Sequence, residues 1–243
     1  MRSTSNFFWR IISVFLLFAG YAINMHAKER EKGKPLKTLY GLSLDVDVLQ
    51  PAMHIFNEDR FGLNADVQID LWHKLFPTFL VGFDKYDASD EYSYPLAAKG
   101  NLYKVSGLYF KVGAYYNVWK KDYQKDLNPV GYIGINYAFA PKYSYTIENY
   151  PINNGYWNEE DSFSLFNADG RTFSNWGEVL VGLRSPIAKN FCLGFEVMFK
   201  MFLHMKDQKI GNDVIHQSYS PGFGDQESGK WGFRYTISYF FHL

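Results

Sequence analysis

The chain has 243 residues, a formal net charge of zero, 47% hydrophobic and 19% aromatic side chains. This length suits one large all-β domain or two small ones. The charge balance leaves no basic footprint of the kind that binds nucleic acid.

Arg2 and Arg10 precede an apolar run from Ile11 to Ile23, with Ala22 and Ala27 near its end. A positive start, a short apolar stretch and small residues read as an export signal. The run is about thirteen residues, short of the roughly 18 that a helical membrane span needs. Cleavage is expected near Ala27, giving residues 1–27 as signal peptide, 28–38 as a flexible charged linker and 39–243 as a barrel. Losing Arg2 and Arg10, with no acid, leaves a formal charge of −2. A single cysteine, Cys192, excludes an internal disulfide. No later apolar run is long enough for a helical span, so membrane passage after the signal requires strands closed into a barrel.

Eight segments then alternate with period two, as half-buried strands do. In Leu39–Val48, Leu42, Leu44 and Val46 oppose Ser43, Asp45 and Asp47. In Gly62–Leu71, Leu63, Ala65, Val67 and Ile69 oppose Asn64, Asp66, Gln68 and Asp70. Thr78–Lys85 sets Phe79, Val81 and Phe83 against Leu80, Gly82 and Asp84; Val105–Val118 sets Leu108, Phe110 and Val112 against Tyr109, Lys111 and Gly113. Val130–Phe139, Trp176–Arg184 and Phe191–His204 continue the pattern, placing Asn136, Glu178, Arg184, Glu196, Lys200 and His204 on the polar side. The last segment, Trp231–Leu243, has one wholly apolar parity, while the other carries Arg234, Thr236 and Ser238. The alternation runs to the final residue, which suits a closed membrane barrel better than a frayed soluble end.

The connections sort by length. Trp72–Pro77 and Ser185–Asn190 are short and Trp119–Pro129 is intermediate. Leu49–Phe61, Tyr86–Lys104, Ala140–Asn175 and Met205–Lys230 all fall at the opposite end, and the last three are long. The expected fold is all-β: an eight-stranded antiparallel up-and-down transmembrane β-barrel with short periplasmic turns and long extracellular loops.

Alternation does not by itself say which face looks outward. The polar face is rich in glycine (Gly82, Gly113, Gly134, Gly182, Gly194, Gly232), which makes room inside a narrow barrel. It also carries charges of both signs: Asp45, Asp47, Asp66, Asp70, Asp84, Glu178 and Glu196 against Lys111, Arg184, Lys200 and Arg234. Buried charges persist when paired, so this face is expected to form an ionic plug in the lumen. Arg234 is expected to face Asp45 or Asp47, because first and last strands are neighbours in a closed barrel. Replacing Gln68 by Asn is expected to be tolerated far better than Val67→Arg on the lipid-facing side. A cation held by Asp45, Asp47, Asp66 and Asp70 is the weaker alternative to ion pairing. No metal or other cofactor is expected.

Two resemblances follow from these residues. Lys230, Gly232, Tyr235 and Ile237 match, at every specified position, the insertion signal read by the outer-membrane barrel assembly machinery. The usual terminal Phe is replaced by His242-Leu243. More broadly, Gly177–Arg184, Lys189–Phe191, Pro221–Gly224 and the closing strand make the chain similar to an uncharacterised family of small outer-membrane barrels from Bacteroidota-type bacteria. That likeness implies shape, outer-membrane lipid as surroundings and the assembly machinery as a transient partner. It implies no activity.

The leading functional reading is non-enzymatic: an envelope structural or surface-interaction barrel whose long loops meet a glycan or protein partner. Tyr143, Tyr145, Tyr150, Tyr156 and Trp157 are the candidate loop aromatics for stacking on such a partner; such residues more often form an interfacial aromatic girdle or pack a loop onto itself. Pro221-Gly222-Phe223-Gly224 reads as a turn shaping the last loop. A narrow small-solute pore is one alternative. Another is a lipid-modifying barrel enzyme: His216 and Ser218 resemble the base and nucleophile of barrels that deacylate lipid A, with Asp225 or Glu227 as the orienting acid.

Overall fold

The structure is a computed structural model describing residues 39–55, 59–88, 102–119, 129–153, 163–205, 209–210, 213–214, 219–225 and 229–242. The proposed signal peptide and linker lie outside the described residues. Eight strands close into one antiparallel barrel: β1 (Leu39–Asp47), β2 (Arg60–Leu71), β3 (Leu75–Ala88), β4 (Leu102–Asn117), β5 (Val130–Asn153), β6 (Phe163–Pro186), β7 (Phe191–Met205) and β8 (Gly229–His242). Each strand pairs with its neighbours in sequence, and β1 pairs with β8 from Gly41↔His242 to Asp47↔Thr236. Closure leaves no open edge around the ring, which is how a sheet satisfies its backbone groups without water.

The period-two pattern places side chains as the pleat requires. Arg234 is 3% exposed and Glu178 0%, whereas the adjacent-parity Phe233 is 57% and Val181 58% exposed. Large apolar groups therefore line the outer wall, and the charged groups fill the interior. Outer aromatics stack across strands, as in Phe79–Phe110–Phe139 and Phe195–Phe233.

The β2–β3 connection is a tight turn in which Trp72 and His73 have φ of 57° and 54°. Lys74 N–H donates to Leu71 O at 3.1 Å. Two consecutive positive φ values are the geometry of a type I′ hairpin. Asp70 holds it, accepting from the His73 backbone N–H at 2.9 Å and lying 2.7 Å from His73 Nδ1. Between β1 and β2, a five-residue helix, α1 (Leu49–Met53), begins where Leu49 N–H donates to Asp47 Oδ1.

The Ala140–Asn175 segment, expected as a long loop, is mostly strand. β5 and β6 each run 24 residues and pair as far as Asn153↔Phe163. The cause is a bulge: β5 carries an extra residue at Pro141-Lys142, so Ala140 pairs with Ser174 but Tyr143 with Thr172. Ala138 and Ala140 point inward before it, and Tyr143, Tyr145 and Ile147 after it. The bulge reverses the parity that marks a continuing strand. A second irregularity puts Phe202 of β7 opposite Trp176, and His204, expected on the inner face, is exposed.

Candidate functional site

The interior is organised by glycine and tyrosine in opposition. Gly82 faces Tyr109, Gly107 faces Tyr143, Gly134 faces Tyr115, Gly170 faces Tyr145 and Gly182 faces Tyr132, each pair directly across a strand boundary. At each glycine a Cβ would run into the opposing tyrosine. The missing side chain lets a ring lie flat on the neighbouring backbone, which fills a narrow lumen without splaying the wall. Tyr115 and Tyr132 stack with centroids 5.3 Å apart. Their neighbours Phe76, Val130, Leu180 and Met198 complete one apolar cluster inside the barrel.

Across from that cluster lies an ionic lattice. Arg234 reaches Asp66 Oδ1 at 2.9 Å with Nη1 and brackets Glu196, with Nη2 2.9 Å from Oε1 and Nε 2.8 Å from Oε2. Arg184 donates to Asp45 Oδ2 at 2.5 Å and to Gln68 Oε1 at 2.9 Å. The Gln68 amide donates in turn to Asp45 and Asp66, so Gln68 is a junction of the lattice. Tyr132 O–H donates to Glu196 at 2.7 Å. Arg234 sits directly opposite Glu196 in the β7–β8 ladder, and its second carboxylate is Asp66, not Asp45 or Asp47. Asp45 instead pairs with Arg184, while Asp47 starts α1 and Asp70 holds the β2–β3 turn.

A second buried pair lies beside Trp176. Lys111 Nζ donates to Glu178 at 2.8 and 3.0 Å, and Trp176 Nε1 and Asn136 Nδ2 also donate to that carboxylate. Lys200, also buried, donates to the backbone oxygen of Gly222 at 2.6 Å.

That contact joins the wall to the feature the sequence did not announce. Tyr219 to Gly224, from the connection before β8, is buried in the barrel mouth. It folds back on itself, with Tyr219–Ser220 laddered to Gly224–Asp225 and Gly222 at φ 77°. Asp84 anchors it, accepting from Tyr219 O–H and from Gly222 N–H at 2.9 Å each. Tyr103 Oη accepts from Tyr219 N–H at 2.8 Å, and Ser174 and Ser220 join their hydroxyls. Tyr86 stacks on Tyr219 at 4.4 Å, and Phe223 packs edge-on to Trp176 and Phe202. A carbonyl bound to a buried lysine and two donors bound to a buried carboxylate hold this segment in place. The proline and glycines of Pro221–Gly224 were the legible signal for a turn; its inward direction was not.

Tyr143 and Tyr145, expected in a loop, lie instead on β5, 1% and 8% exposed and packed in one cluster with Tyr219 and Phe223. The parity reversal at Pro141-Lys142 turns them inward. Tyr150 lies on β5, and Tyr156, Trp157, His216 and Ser218 lie outside the described residues. Lys230, Gly232, Tyr235 and Ile237 lie on β8, with Tyr235 and Ile237 outward. Among the described residues, no cluster of three or more His, Cys, Asp and Glu side chains could hold a metal ion.

The chain belongs to the family described as Domain of unknown function (DUF6048), whose model matches residues 4–243. Among solved structures it is similar to Ail, the attachment invasion locus protein of Yersinia pestis, in complex with the heparin analogue sucrose octasulfate. The identity is 8%, covering 85% of this chain and 100% of that one, with a TM-score of 0.38. It is also similar to Neisserial surface protein A (12% identity, 84% and 97% covered, TM-score 0.39). A third likeness is a major outer membrane protein from Thermus thermophilus (12% identity, 85% and 100% covered, TM-score 0.43). No curated protein sequence matches the chain.

Proposed function

We propose that this protein is an outer-membrane barrel, exported with residues 1–27 removed near Ala27, whose lumen is sealed and whose role is non-enzymatic. It serves the envelope as a structural or surface-interaction element, presenting its extracellular end to a glycan or protein partner. The barrel assembly machinery is the transient partner that reads the closing strand. The outer wall supports the membrane setting: it is apolar over its central height, far beyond the patch a soluble monomer exposes. The observation that carries the sealed-lumen reading is the Tyr219–Gly224 segment, pinned by Asp84 and Lys200 above a lattice of paired charges. Eight strands leave an interior that side chains fill.

The long β5–β6 hairpin supports the surface role. β7 ends opposite Ser174, so Phe163–Phe173 rise past it. At roughly 3.3 Å per residue this lifts the hairpin by tens of ångströms along the strand direction.

A narrow small-solute pore is the second reading, favoured by luminal oxygens along the β1–β8 seam. Ser43 Oγ, Asp45 Oδ1, Thr236 Oγ1 and Ser238 Oγ are buried without a protein hydrogen-bond partner, and polar groups so placed bind water. Planar-bilayer conductance separates the two. The sealed reading expects no stable channel from the wild type. Steady ion currents from the wild type would establish the pore instead.

A further inference from the structure

The outward wall of β3 to β6 changes character sharply above Phe83, Leu108 and Phe173. The next row, read across neighbouring strands, is Lys85, Ser106, Ser144 and Arg171. The row beyond it is Asp87, Lys104, Thr146 and Asp169. Lys142, in the β5 bulge, is exposed beside the first row. The side chains of Lys85 and Lys104 are 53% and 45% exposed, and Arg171 is exposed as well. Ser106 and Ser144 bring their hydroxyls within 3.1 Å of each other.

Four cations thus share this rim with Asp87 and Asp169, and Asp59 lies at its β2 edge, its backbone oxygen accepting from Asp87 N–H at 2.7 Å. Asp87 lies 3.8 Å from Lys85 and 3.6 Å from Lys104, and Asp169 is exposed. Over β3 to β6 the balance is positive. On β2, Phe61 stands opposite Lys85, while Arg60 turns inward to Asp84.

We propose that this rim is a binding site for a phosphorylated glycolipid of the outer leaflet. The proposal rests on the membrane-spanning reading above and names what its outer wall holds. The cations stand directly on the apolar band, so the occupant must join an anionic head to acyl chains. A soluble acidic peptide would leave Phe83, Leu108 and Phe173 uncovered. Lysine and arginine at the interface attract anionic headgroups, and arginine grips phosphate with two donors at once. Neighbouring strands lie roughly 4.8 Å apart, which sets the Lys85 and Arg171 backbones about 14 Å apart. That span fits a sugar headgroup with separated phosphates better than a single small anion. The paired serine hydroxyls between them supply further donors to phosphate or sugar oxygens.

The test uses the full mature chain, refolded and placed in zwitterionic phosphatidylcholine nanodiscs. Retention of a bis-phosphorylated glucosamine-disaccharide lipid is compared with that of its dephosphorylated form, by native mass spectrometry. The wild type is expected to prefer the phosphorylated form, and K85Q/K104Q/R171Q to lose that preference by roughly ten- to hundredfold, as three interfacial charges acting together imply. Lys189→Gln, in the exposed turn at the other end of the barrel, is expected to change nothing. Equal retention of the two lipids by the wild type would overturn the proposal, and that comparison needs no variant. So would an unchanged preference in a triple variant that still shows a heat-modifiable gel shift. A wild type that forms no heat-modifiable barrel contradicts the membrane reading itself, and the lipid site falls with it.

Discussion

The lumen is filled at two levels, by two different means. In the ionic lattice, Arg234, Arg184 and Lys111 meet carboxylates and a glutamine carried on separate strands. At the mouth, one short segment with a buried tyrosine and phenylalanine leans on Asp84 and Lys200. The lattice belongs to the wall, so opening it means distorting the ring. The mouth belongs to a connection between strands, so it can open with the ring intact. Stability of the barrel and sealing of the barrel are therefore separable properties, and variants in the two places should fail in different ways.

The largest effect is expected at the lattice. Arg234→Ala leaves Asp66 and Glu196 buried without their cation. Breaking a buried ion pair costs about 3–5 kcal/mol, read as a lower urea midpoint for loss of the heat-modifiable band. Gly182→Val tests the glycine–tyrosine packing, because the new side chain must displace the Tyr132 ring; overpacking of this kind costs about 1–3 kcal/mol. The smallest global effect belongs to Asp84→Ala. Two hydrogen bonds to the mouth segment, worth about 1 kcal/mol each, are lost locally, together with a partly exposed ion pair to Arg60 worth at most about 1 kcal/mol. The urea midpoint should hardly move, while protease cleavage within Tyr219–Asp225 rises on the order of tenfold. If Asp84→Ala unfolds the barrel as readily as Arg234→Ala, the two closures are one cooperative unit and the comparison fails.

Much of the wall was legible in the sequence because a strand has only two faces. Leu63, Ala65, Val67 and Ile69 had to share one, and Asn64, Asp66, Gln68 and Asp70 the other. Which carboxylate meets which cation was not legible. Pairing across a lumen depends on the stagger of the strands, so Arg234 reached Asp66 and Glu196 instead of β1. The β5–β6 extension was hidden by one extra residue at Pro141-Lys142, which turned a continuing strand into apparent loop. The same shift buried Tyr143 and Tyr145. The mouth segment carried turn residues but no periodicity, and only the position of Asp84, more than a hundred residues away in sequence, explains its direction.

The central claim is that the apolar face meets lipid while the charges face one another inside. Nitroxides placed by Val67→Cys and Val181→Cys, in a Cys192→Ala background reconstituted into bilayers, test it most directly by paramagnetic relaxation. The account predicts collision with dissolved oxygen well above collision with a water-soluble nickel chelate at both positions. Nickel access equal to or greater than oxygen access would contradict it.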